Sequence, residues 1–568
     1  MAKLSALLYG TELLSSNFDP ETVDSGELRS DSFKVRPGDT FICLAGQKYD
    51  GHDFICVAHE RGAGVIICEH MTEYLKSHPE IKYLIVKNTR IAEANMWNEL
   101  CARPGDRLIA IAVTGTNGKT SITYYLREIF KAAGYKTGIV GTVKCMVGDI
   151  PEVISESAES NVNSMTTPPP EALYPKLAHM VDEGVEIVFI EASSHSLSQH
   201  RLDPLHFILG IFTNLSVEHL DYHGTMEEYY NAKRRLLGLC GAAVINADDQ
   251  WFGRMATSCP IPHVTFSVLS DTSSDHDGNI MSSAEKTYSD DGNAQFNSIT
   301  DDAGKNAPSC AAAATDSSSG KADDITIASG IAADYAAISP RVTRDGGIMY
   351  DLLESGRLYR ISCPIPGGFT ASNTLAAIAA ARLFKIAPET IVSALKSCPQ
   401  IPGRMERLRL DGLGFDVYID YAHTPDALER TLRTLRELKR PGGRLRLLFG
   451  CGGDRDKSKR PVMGKIATSL ADFTVITSDN SRGENPRAII CDIMRGVDRG
   501  AEYKVIERRE DAIRYIIEHS DADDIILLAG KGHEDYEIDA DGKHPFSERD
   551  IVYDTARSMS GVDETTRL

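Results

Sequence analysis

Several features that mark other classes of protein are missing from this sequence. It has no run of 18 or more apolar residues, so we expect no transmembrane helix. The N-terminal stretch MAKLSALLYG has one early lysine and broken hydrophobicity, which is unlike a secretory signal and predicts a cytoplasmic protein. Neither a tandem repeat nor a C-x-x-C pair is present. The twelve cysteines are scattered, which argues against a zinc ribbon or a redox pair and favours buried thiols.

Positive charge is also scarce. The 568 residues include 61 Lys and Arg against 81 Asp and Glu, which leaves a formal net charge of −20. Such a chain lacks the basic surface with which proteins bind nucleic acid non-specifically, so we expect no nucleic-acid partner. A local binding site for a phosphorylated ligand is still compatible with the negative net charge.

What the sequence does have is a repeated strand, turn and helix pattern. Short β-branched runs without polar alternation, such as 108–115, 185–193 and 444–450, are typical of strands buried on both faces. Helical patterns lie between such runs, for example at 122–134 and 425–439. This order predicts an α/β fold with parallel sheets.

Proline and glycine punctuation divides the chain into three predicted domains, 1–107, 108–402 and 403–568. One stretch within the second, 270–324, is rich in Ser, Asp, Ala and Gly and carries eleven acidic residues against three lysines. It has too little apolar surface to offset the entropy of ordering. We therefore predict a disordered acidic insertion, for which a regulatory or partner-binding role stays open.

The sharpest motif is a glycine-rich loop that opens a helix. Its residues are Gly115, Thr116, Asn117, Gly118, Lys119, Thr120 and Ser121. Glycines let backbone N–H groups close around phosphate oxygens, and the helix N-terminus adds positive potential. Lys119 can reach the β- and γ-phosphates, and the Thr120 hydroxyl can bind Mg²⁺. Val113 stands where the usual consensus has its first glycine, so this is a shortened phosphate loop.

Polar clusters follow other predicted strands. In the central piece these include Glu191, His219 and, further on, Lys233. Carboxylate and imidazole groups beside a nucleotide loop could hold Mg²⁺, although a structural role is as good an interpretation of any single histidine. In the last piece, GCGGDRD, SDNSR and GKGHE combine arginines with carboxylates. That mixture suits a zwitterion such as a free amino acid, with surface ion pairs as the alternative.

Nine motifs in order give the chain a family resemblance. They are GTNGKTS, EASSH, NLSVEHLDYHG, AKRRLL, GRME, DYAHTPDAL, GCGGDRDKSKRP, SDNSR and AGKGHEDY. Together they resemble the Mur ligase family, in particular the branch that adds the third residue of the precursor peptide. The resemblance implies a smaller N-terminal α/β domain for a uridine nucleotide substrate, a central P-loop ATPase domain with a parallel sheet, and a C-terminal Rossmann-like domain for an amino acid.

The resemblance also implies an activity. A diamino acid would be joined to the D-glutamyl γ-carboxylate of UDP-N-acetylmuramoyl-L-alanyl-D-glutamate in cytoplasmic peptidoglycan synthesis. ATP and Mg²⁺ would be required, with ADP and phosphate as products. We expect a monomer with small-molecule substrates and no membrane partner.

The matching motifs assign roles to residues of this chain. The ATP site would comprise residues 115–121 with Asn373, Arg404, Asp420 and His423. Contacts to the UDP-muramoyl peptide would come from Ser32, Thr166, Thr167, Ser193, Gln199 and Arg201. The amino-acid pocket would comprise Arg455, Asp479, Asn480, Ser481, Arg482, Gly530 and Glu534. The catalytic set would be Lys119, Lys233, Glu191 and His219, and the metal ligands Thr120, Glu191, His219 and Lys233 as its carbamate.

Two departures from the family pattern bear on the substrate. Family members that use meso-diaminopimelate carry Asp-Asn-Pro-Arg in the pocket, and here Ser481 replaces the proline while Arg482 is kept. That arginine would pair with the distal carboxylate that L-lysine lacks, which favours meso-diaminopimelate and leaves L-lysine as the alternative. Pro169 stands where an acidic residue is common, so the nearby substrate contacts are less well defined.

Three other functions stay open at this point. A folylpolyglutamate synthase would share the ATPase core, yet it would lack the uridine-nucleotide domain and the amino-acid pocket. Another Mur ligase would act on alanine, glutamate or a dipeptide, which the pocket around Arg482 disfavours. A non-catalytic nucleotide-binding scaffold could use the acidic insertion for partners, although it would have no need of Lys119 or Lys233.

Overall fold

A computed structural model describes residues 2–46, 48–143, 145–151, 165–269, 333–343, 345–410 and 412–560. The predicted insertion at 270–324 lies outside the described residues. Across the described ranges, no helix is both long and apolar enough to cross a membrane.

Helices and strands alternate along most of the described chain. The helices are α1 Leu4–Leu7, α2 Ile55–Glu60, α3 Glu73–Ser77, α4 Thr89–Leu100, α5 Lys119–Ala132, α6 Pro170–Asp182, α7 Ser194–Ser198, α8 Leu220–His223, α9 Met226–Arg234, α10 Gln250–Ala256, α11 Gly368–Leu383, α12 Pro388–Lys396, α13 Pro425–Leu438, α14 Lys459–Leu470, α15 Pro486–Met494, α16 Arg509–Glu518 and α17 Glu548–Ser560. The strands are β1 Leu13–Ser16, β2 Leu28–Arg29, β3 Thr40–Ile42, β4 Val65–Cys68, β5 Tyr83–Val86, β6 Ile109–Thr114, β7 Thr137–Val140, β8 Met146–Val147, β9 Ile150–Pro151, β10 Ile187–Glu191, β11 Phe207–Phe212, β12 Cys240–Asn246, β13 His263–Leu269, β14 Tyr335–Val342, β15 Ile348–Glu354, β16 Arg357–Cys363, β17 Glu406–Leu408, β18 Asp416–Asp420, β19 Leu445–Phe449, β20 Phe473–Ile476, β21 Tyr503–Val505, β22 Ile525–Ala529, β23 Tyr536–Asp539 and β24 Gly542–Pro545.

The chain divides into two compact units, each built from several stretches. The first unit comprises Met1–Thr114, Tyr135–Gly210 and Asn231–Gly241. One of its sheets has the order β1-β5-β4-β3-β2, in which only β1 runs antiparallel to its neighbour. In the other, β10 pairs in parallel with both β6 and β7. Strand β10 is buried along its whole length, which explains its uninterrupted apolar sequence.

The second unit comprises Gly115–Gly134, Ile211–Tyr230 and Ala242–Leu568. Helix α5 packs there on α11 and α12. The sheet β17-β18-β22-β19-β20-β21 is parallel except at its edge strand β17. Its core consists of apolar side chains from these strands and from α16, such as Ile419, Leu528 and Ile513. The carboxyl ends of these parallel strands gather polar loops at one edge.

The predicted α/β class with parallel sheets is confirmed, and one region differs from the parallel pattern. Strands β14, β15 and β16 form an antiparallel meander. Strand β15 alternates between buried and partly exposed residues, which is typical of a sheet with one solvated face. The predicted domain boundaries near residues 107 and 402 stay predictions.

Candidate active site

The phosphate loop presents bare backbone at the start of α5. Gly115 has φ +150° and Gly118 has φ +90°, values that favour glycine. A methyl group on Gly115 would lie 1.8 Å from Oγ1 of Thr213, and one on Gly118 would lie 2.5 Å from Oδ1 of Asn373. Only glycine therefore fits at either position. Because Gly118 is also the N-cap residue of α5, no side chain caps the first turn of that helix.

A second strand end fixes the shape of this loop. The N–H of Thr116 donates to the carbonyl of Asn214 at 2.8 Å, and the N–H of Asn117 donates to its side-chain Oδ1 at 2.9 Å. The Thr213 hydroxyl donates to the carbonyl of Asn117 at 2.7 Å. The loop is thus held in shape before any ligand binds, which lowers the entropic cost of binding.

Lys119 folds back over the loop that it follows. Its Nζ donates to the carbonyls of Gly115 and Thr116, each at 2.8 Å. The ammonium therefore lies above the cradle where a phosphate would bind.

Arg404 lies against the same helix start. Its Nη2 donates to Oγ1 of Thr120 at 3.2 Å, and its guanidinium stacks 4.7 Å from the Tyr421 ring. Its Nε is buried and has no hydrogen-bond acceptor among the described residues. An anion beside Thr120 would supply that acceptor.

Asp420 holds backbone in place. Its buried carboxylate accepts hydrogen bonds from the N–H groups of Met405 and Ala422, at 2.8 and 3.0 Å. Burial raises the pKa of this carboxyl. Because Met405 follows Arg404 in the chain, Asp420 fixes the backbone next to Arg404.

Glu218 pairs with His219 and His423. It is a residue of the candidate site that the sequence analysis did not identify. One of its oxygens lies 3.3 Å from Nε2 of His423, and the other lies 3.7 Å from Nε2 of His219. Burial acts to raise the pKa of Glu218, but the hydrogen bond to His423 and the charges of His219 and Lys119 outweigh it and lower the pKa. The ionised Glu218 carboxylate therefore also interacts electrostatically with Lys119 of the loop. It lies in the quoted motif NLSVEHLDYHG, so its position was visible in the sequence.

In the first unit, threonines hold Glu191. The Glu191 carboxylate accepts hydrogen bonds from the backbone N–H and the hydroxyl of Thr142, at 3.0 and 2.9 Å. The hydroxyl of Thr142 also lies 3.0 Å from that of Thr166. The Thr167 hydroxyl donates to the carbonyl of Glu191 at 2.6 Å and lies 3.1 Å from Oγ of Ser193. Three of the predicted peptide contacts are therefore close to a predicted catalytic residue.

The two other nearby predicted contacts, Gln199 and Arg201, form a pair. Oε1 of Gln199 accepts from Nη2 of Arg201 at 2.6 Å, and Nη1 of the same arginine donates to the carbonyl of Thr167 at 2.6 Å. Both side chains line a cavity of about 180 Å³. Ser30 lines that cavity as well, whereas the predicted contact Ser32 is a buried residue that begins a short 3₁₀ helix nearby in the chain.

Two of the predicted metal ligands, Lys233 and His219, differ in burial. Lys233 is 1% exposed in the first unit, and His219 is an exposed residue of the second with φ +57°. No cluster of three or more His, Cys, Asp or Glu side chains arranged to hold a metal ion occurs among the described residues.

The predicted amino-acid pocket is built on a buried lysine that the sequence reasoning did not single out. Nζ of Lys531, which is fully buried, donates to Oδ1 of Asn480 at 2.9 Å and to the carbonyl of Tyr536 at 2.8 Å. Nδ2 of Asn480 in turn donates to Oε2 of Glu534 at 2.8 Å. The ammonium also lies 3.9 Å from Asp479 and 3.8 Å from Glu534. It therefore orients the Asn480 amide and balances two carboxylates.

Charge explains how this pair of carboxylates behaves. Burial acts to raise the pKa of Asp479, but the positive charges of Lys531 and Arg509 outweigh it and lower that pKa. Burial, followed by the charge of Asp479, raises the pKa of Glu534. Gly530 lies against Asp479, and a methyl group there would come within 2.6 Å of the Asp479 carboxylate.

We expect Lys531→Met to destabilise the fold and to weaken binding of the amino acid. It removes the buried cation beside Asp479 and Glu534 and leaves Arg509 as the remaining compensating charge for Asp479. Breaking a buried ion pair by removing one partner typically costs about 3–5 kcal/mol. Thermal unfolding would show a lower Tm, and kinetics would show a higher KM for the amino acid. Lys543→Met is the matched control, since Lys543 is exposed on the neighbouring hairpin. Equal Tm values for the two variants would contradict the assigned role.

Two arginines face the same pocket. Nη1 of Arg482 donates to the carbonyls of Gly453 and Asn480, at 3.0 and 3.2 Å, and the residue adopts φ +51°. Partial shielding from water, and next the positive charge of Arg482, lower the pKa of Arg455. The two guanidinium groups are thus close enough to repel each other, which favours an anion between them. The predicted residue Ser481 is buried beside them.

The chain is similar to known proteins over nearly its whole length. Three family models match: "Mur ligase family, catalytic domain" at 27–103, "Mur ligase middle domain" at 113–381 and "Mur ligase, glutamate ligase domain" at 403–532. A UDP-N-acetylmuramoyl-L-alanyl-D-glutamate--2,6-diaminopimelate ligase of Clostridium botulinum is 35% identical over 94% of this chain and 95% of its own length. The ligase of the same name from Clostridium tetani is 34% identical over 97% and 98% of the two chains.

A solved structure gives the same result at the level of the fold. That of a UDP-N-acetylmuramoyl-L-alanyl-D-glutamate--2,6-diaminopimelate ligase aligns with a TM-score of 0.59 and 26% identity, and it covers 98% of this chain and 99% of the other. The motifs, the matching family models and the near full-length similarity lead to one conclusion. This chain belongs to the Mur ligase family.

Proposed function

We propose that this protein is an ATP-dependent, ADP-forming ligase that adds meso-diaminopimelate to UDP-N-acetylmuramoyl-L-alanyl-D-glutamate in peptidoglycan precursor synthesis. The relatives that it matches over nearly their whole length carry that name. The single observation that supports it most is the pocket in which Asp479, Asn480 and Glu534 lie beside Arg482. Carboxylates suit an ammonium group and a guanidinium suits a carboxylate, so the pocket fits an amino acid with an extra carboxylate.

The chemistry required is activation of a carboxylate, because a carboxylate at neutral pH is a poor electrophile. An oxygen of the D-glutamyl γ-carboxylate attacks the γ-phosphorus of ATP, and ADP leaves. The amine then attacks the acyl carbon, loses a proton, and expels phosphate as the C–O bond breaks. Catalysis of such a transfer rests mainly on positioning and on stabilisation of charge.

The phosphate loop fits the polyphosphate of ATP. Gly115 and Gly118 form a backbone cradle that a Cβ would fill, and Lys119 lies over it. The unsatisfied Nε of Arg404 fits an additional phosphate oxygen. Asn373, beside Gly118, and His423, paired with Glu218, complete the proposed nucleotide contacts.

The proposed Mg²⁺ ligands are Thr120, Glu191, His219 and the carbamate of Lys233. Mg²⁺ is usually held by few side chains together with phosphates and water, and when bound it would screen charge on the phosphoryl group. An unmodified lysine is a cation and a poor ligand, so Lys233, which is 1% exposed, would bind the metal as its carbamate. Mass spectrometry of protein kept in bicarbonate would detect the added CO₂.

We place the reaction in the cytoplasm and expect a monomer with no nucleic-acid partner. The cytoplasmic location fits the nucleotide-linked substrates of the proposed reaction, and the absence of a nucleic-acid partner follows from the acidic composition.

The decisive test is phosphate release by the purified protein. ATP, Mg²⁺ and UDP-N-acetylmuramoyl-L-alanyl-D-glutamate would be supplied with either meso-diaminopimelate or L-lysine. We expect release with meso-diaminopimelate and little with L-lysine. Phosphate release with L-lysine but not with meso-diaminopimelate would support a ligase activity but reject the role of Arg482. No phosphate release with either amino acid would reject the proposed substrates.

A further inference from the structure

Glu484 has no role in the functions described above, although it connects the two loops that carry the pocket arginines. Arg455 lies in the loop that follows strand β19, and Arg482 lies in the loop that follows the neighbouring strand β20. One oxygen of the Glu484 carboxylate accepts a hydrogen bond from the N–H of Asp454 at 2.7 Å. Glu484 thus links its own loop, which carries Arg482, to the residue that precedes Arg455.

A second hydrogen bond runs in the opposite direction between the same loops. The carboxylate of Asp454 accepts from the N–H of Gly483 at 3.0 Å, and Gly483 follows Arg482 in the chain. The loops also contact each other through their backbones, since the N–H of Gly453 donates to the carbonyl of Asn480 at 2.9 Å. Each loop therefore places a carboxylate on a backbone N–H of the other.

The backbone beside both arginines needs such support. Arg482 has φ +51°, and Asp454, next to Arg455, has φ +52°, values that are unfavourable for most residues other than glycine. Ser481, which precedes Arg482, leaves φ less restricted than a proline would. Contacts from the surrounding residues therefore hold this conformation in place.

A buried cation holds the Glu484 carboxylate in turn. Arg460, which is 1% exposed, donates from Nη2 to Oε1 of Glu484 at 2.8 Å and from Nη1 to Oε2 at 3.1 Å. The hydrogen bond from Arg460, together with those from the N–H of Asp454 and from Lys457, outweighs the effect of burial and lowers the pKa of Glu484 to about 2. The carboxylate is therefore ionised at neutral pH, and the two bonds from one guanidinium fix its direction.

We propose that Glu484 is a positioning residue that holds the guanidinium groups of Arg455 and Arg482 at the spacing needed to bind the distal carboxylate of the amino acid. The inference rests on the proposed function, which supplies an amino acid with that carboxylate. Since the two guanidinium groups repel each other, loops that were not fixed would let them separate. Glu484 thereby supports selection of meso-diaminopimelate over L-lysine through the two arginines.

The test is steady-state kinetics of Glu484→Ala with varied amino acid. We expect KM for meso-diaminopimelate to rise about tenfold while kcat stays within about threefold, because a misplacement of about 1 Å can cost up to about 10²-fold and both arginines are retained. The ratio of kcat/KM for meso-diaminopimelate to that for L-lysine should fall by about tenfold, and KM for ATP should not change. A KM for meso-diaminopimelate within about twofold of wild type would overturn the inference.

Asp492→Ala is the matched control for a purely structural role. Asp492, in helix α15, accepts a hydrogen bond from Nη1 of Arg460 at 3.0 Å. Both variants remove one carboxylate from the buried Arg460, so Tm should fall in both. Only Glu484→Ala should raise KM for meso-diaminopimelate. An equal rise in Asp492→Ala would attribute the effect to Arg460 and overturn the inference.

Asp454→Gly tests the connection from the other loop, and it can be assayed even if Glu484→Ala fails to fold. Glycine adopts the left-handed conformation of this residue readily, while the hydrogen bond to the N–H of Gly483 is lost. We expect KM for meso-diaminopimelate to rise about fivefold, as suits the loss of one hydrogen bond. An unchanged KM would contradict the proposed connection between the loops.

A double variant separates positioning from an independent effect. If Glu484 acts through Arg482, adding Glu484→Ala to Arg482→Gln should lower kcat/KM for meso-diaminopimelate by no more than about a further twofold, because coupled residues are not additive. A further tenfold loss would overturn the inference. Absence of phosphate release by the wild-type protein with meso-diaminopimelate would instead reject the proposed function itself.

Discussion

Lys119→Ala should lower kcat by about 10³-fold or more while the protein stays folded. The Nζ of Lys119 contacts two loop carbonyls, and in the proposed complex it would turn to the β- and γ-phosphates. Removing a single preorganised donor from a transition-state site typically costs 10²- to 10³-fold, and a full positive charge on a phosphoryl group contributes more. Phosphate release under saturating substrates measures the effect.

The fold itself should change little in this variant. The loop is held mainly by Thr213 and Asn214, whose hydrogen bonds to Thr116 and Asn117 do not involve Lys119. Thermal unfolding should therefore give a Tm close to that of wild type. Lys131→Ala, an exposed position in the last turn of the same helix, is the matched control and should retain full activity. Wild-type turnover by Lys119→Ala would reject the phosphate-loop assignment.

Arg482→Gln should cut kcat/KM for meso-diaminopimelate by about 100-fold. A charge-assisted hydrogen bond contributes about 1.5–3 kcal/mol, and a bidentate arginine–carboxylate pair lies at the upper end of that range. Arg455 remains in this variant, but its side chain is exposed to water, which screens its charge, so it should not replace Arg482. Steady-state kinetics with varied amino acid would measure the loss.

The same variant tests specificity. The weak activity expected with L-lysine should change much less, because L-lysine has no distal carboxylate to pair with Arg482. Arg487→Gln is the matched control, since the Arg487 side chain is 79% exposed and pairs with Glu507. An equal loss with both amino acids would show that Arg482 supports the loop rather than reads the substrate.

The residues that could be recognised in the sequence are those whose role is local. The phosphate loop depends on glycine conformations, a helix start and one lysine within seven residues, so its pattern in the sequence predicted its shape. Helix α13 likewise begins at Pro425, the first residue of the predicted helical pattern 425–439, and Thr424 caps it. The buried parallel strands could be predicted for the same reason, since burial on both faces leaves an uninterrupted apolar run.

The residues that were missed owe their roles to distant partners. Lys531 lies in the quoted motif AGKGHEDY, yet its importance depends on Asn480, which lies 51 residues earlier in the chain. Glu218 lay in a recognised motif, yet its pairing with His423 appears only when two separate loops meet.

The sequence by itself therefore determined the α/β class, the phosphate loop and the family, because each rests on periodicity or on short ordered motifs. Only the tertiary structure decided which polar groups meet. Glu93 and Arg201 line one cavity although more than a hundred residues separate them in the chain. Such contacts depend on how helices and loops pack, and the energetic cost of burying a carboxyl can be seen only once its neighbours are known.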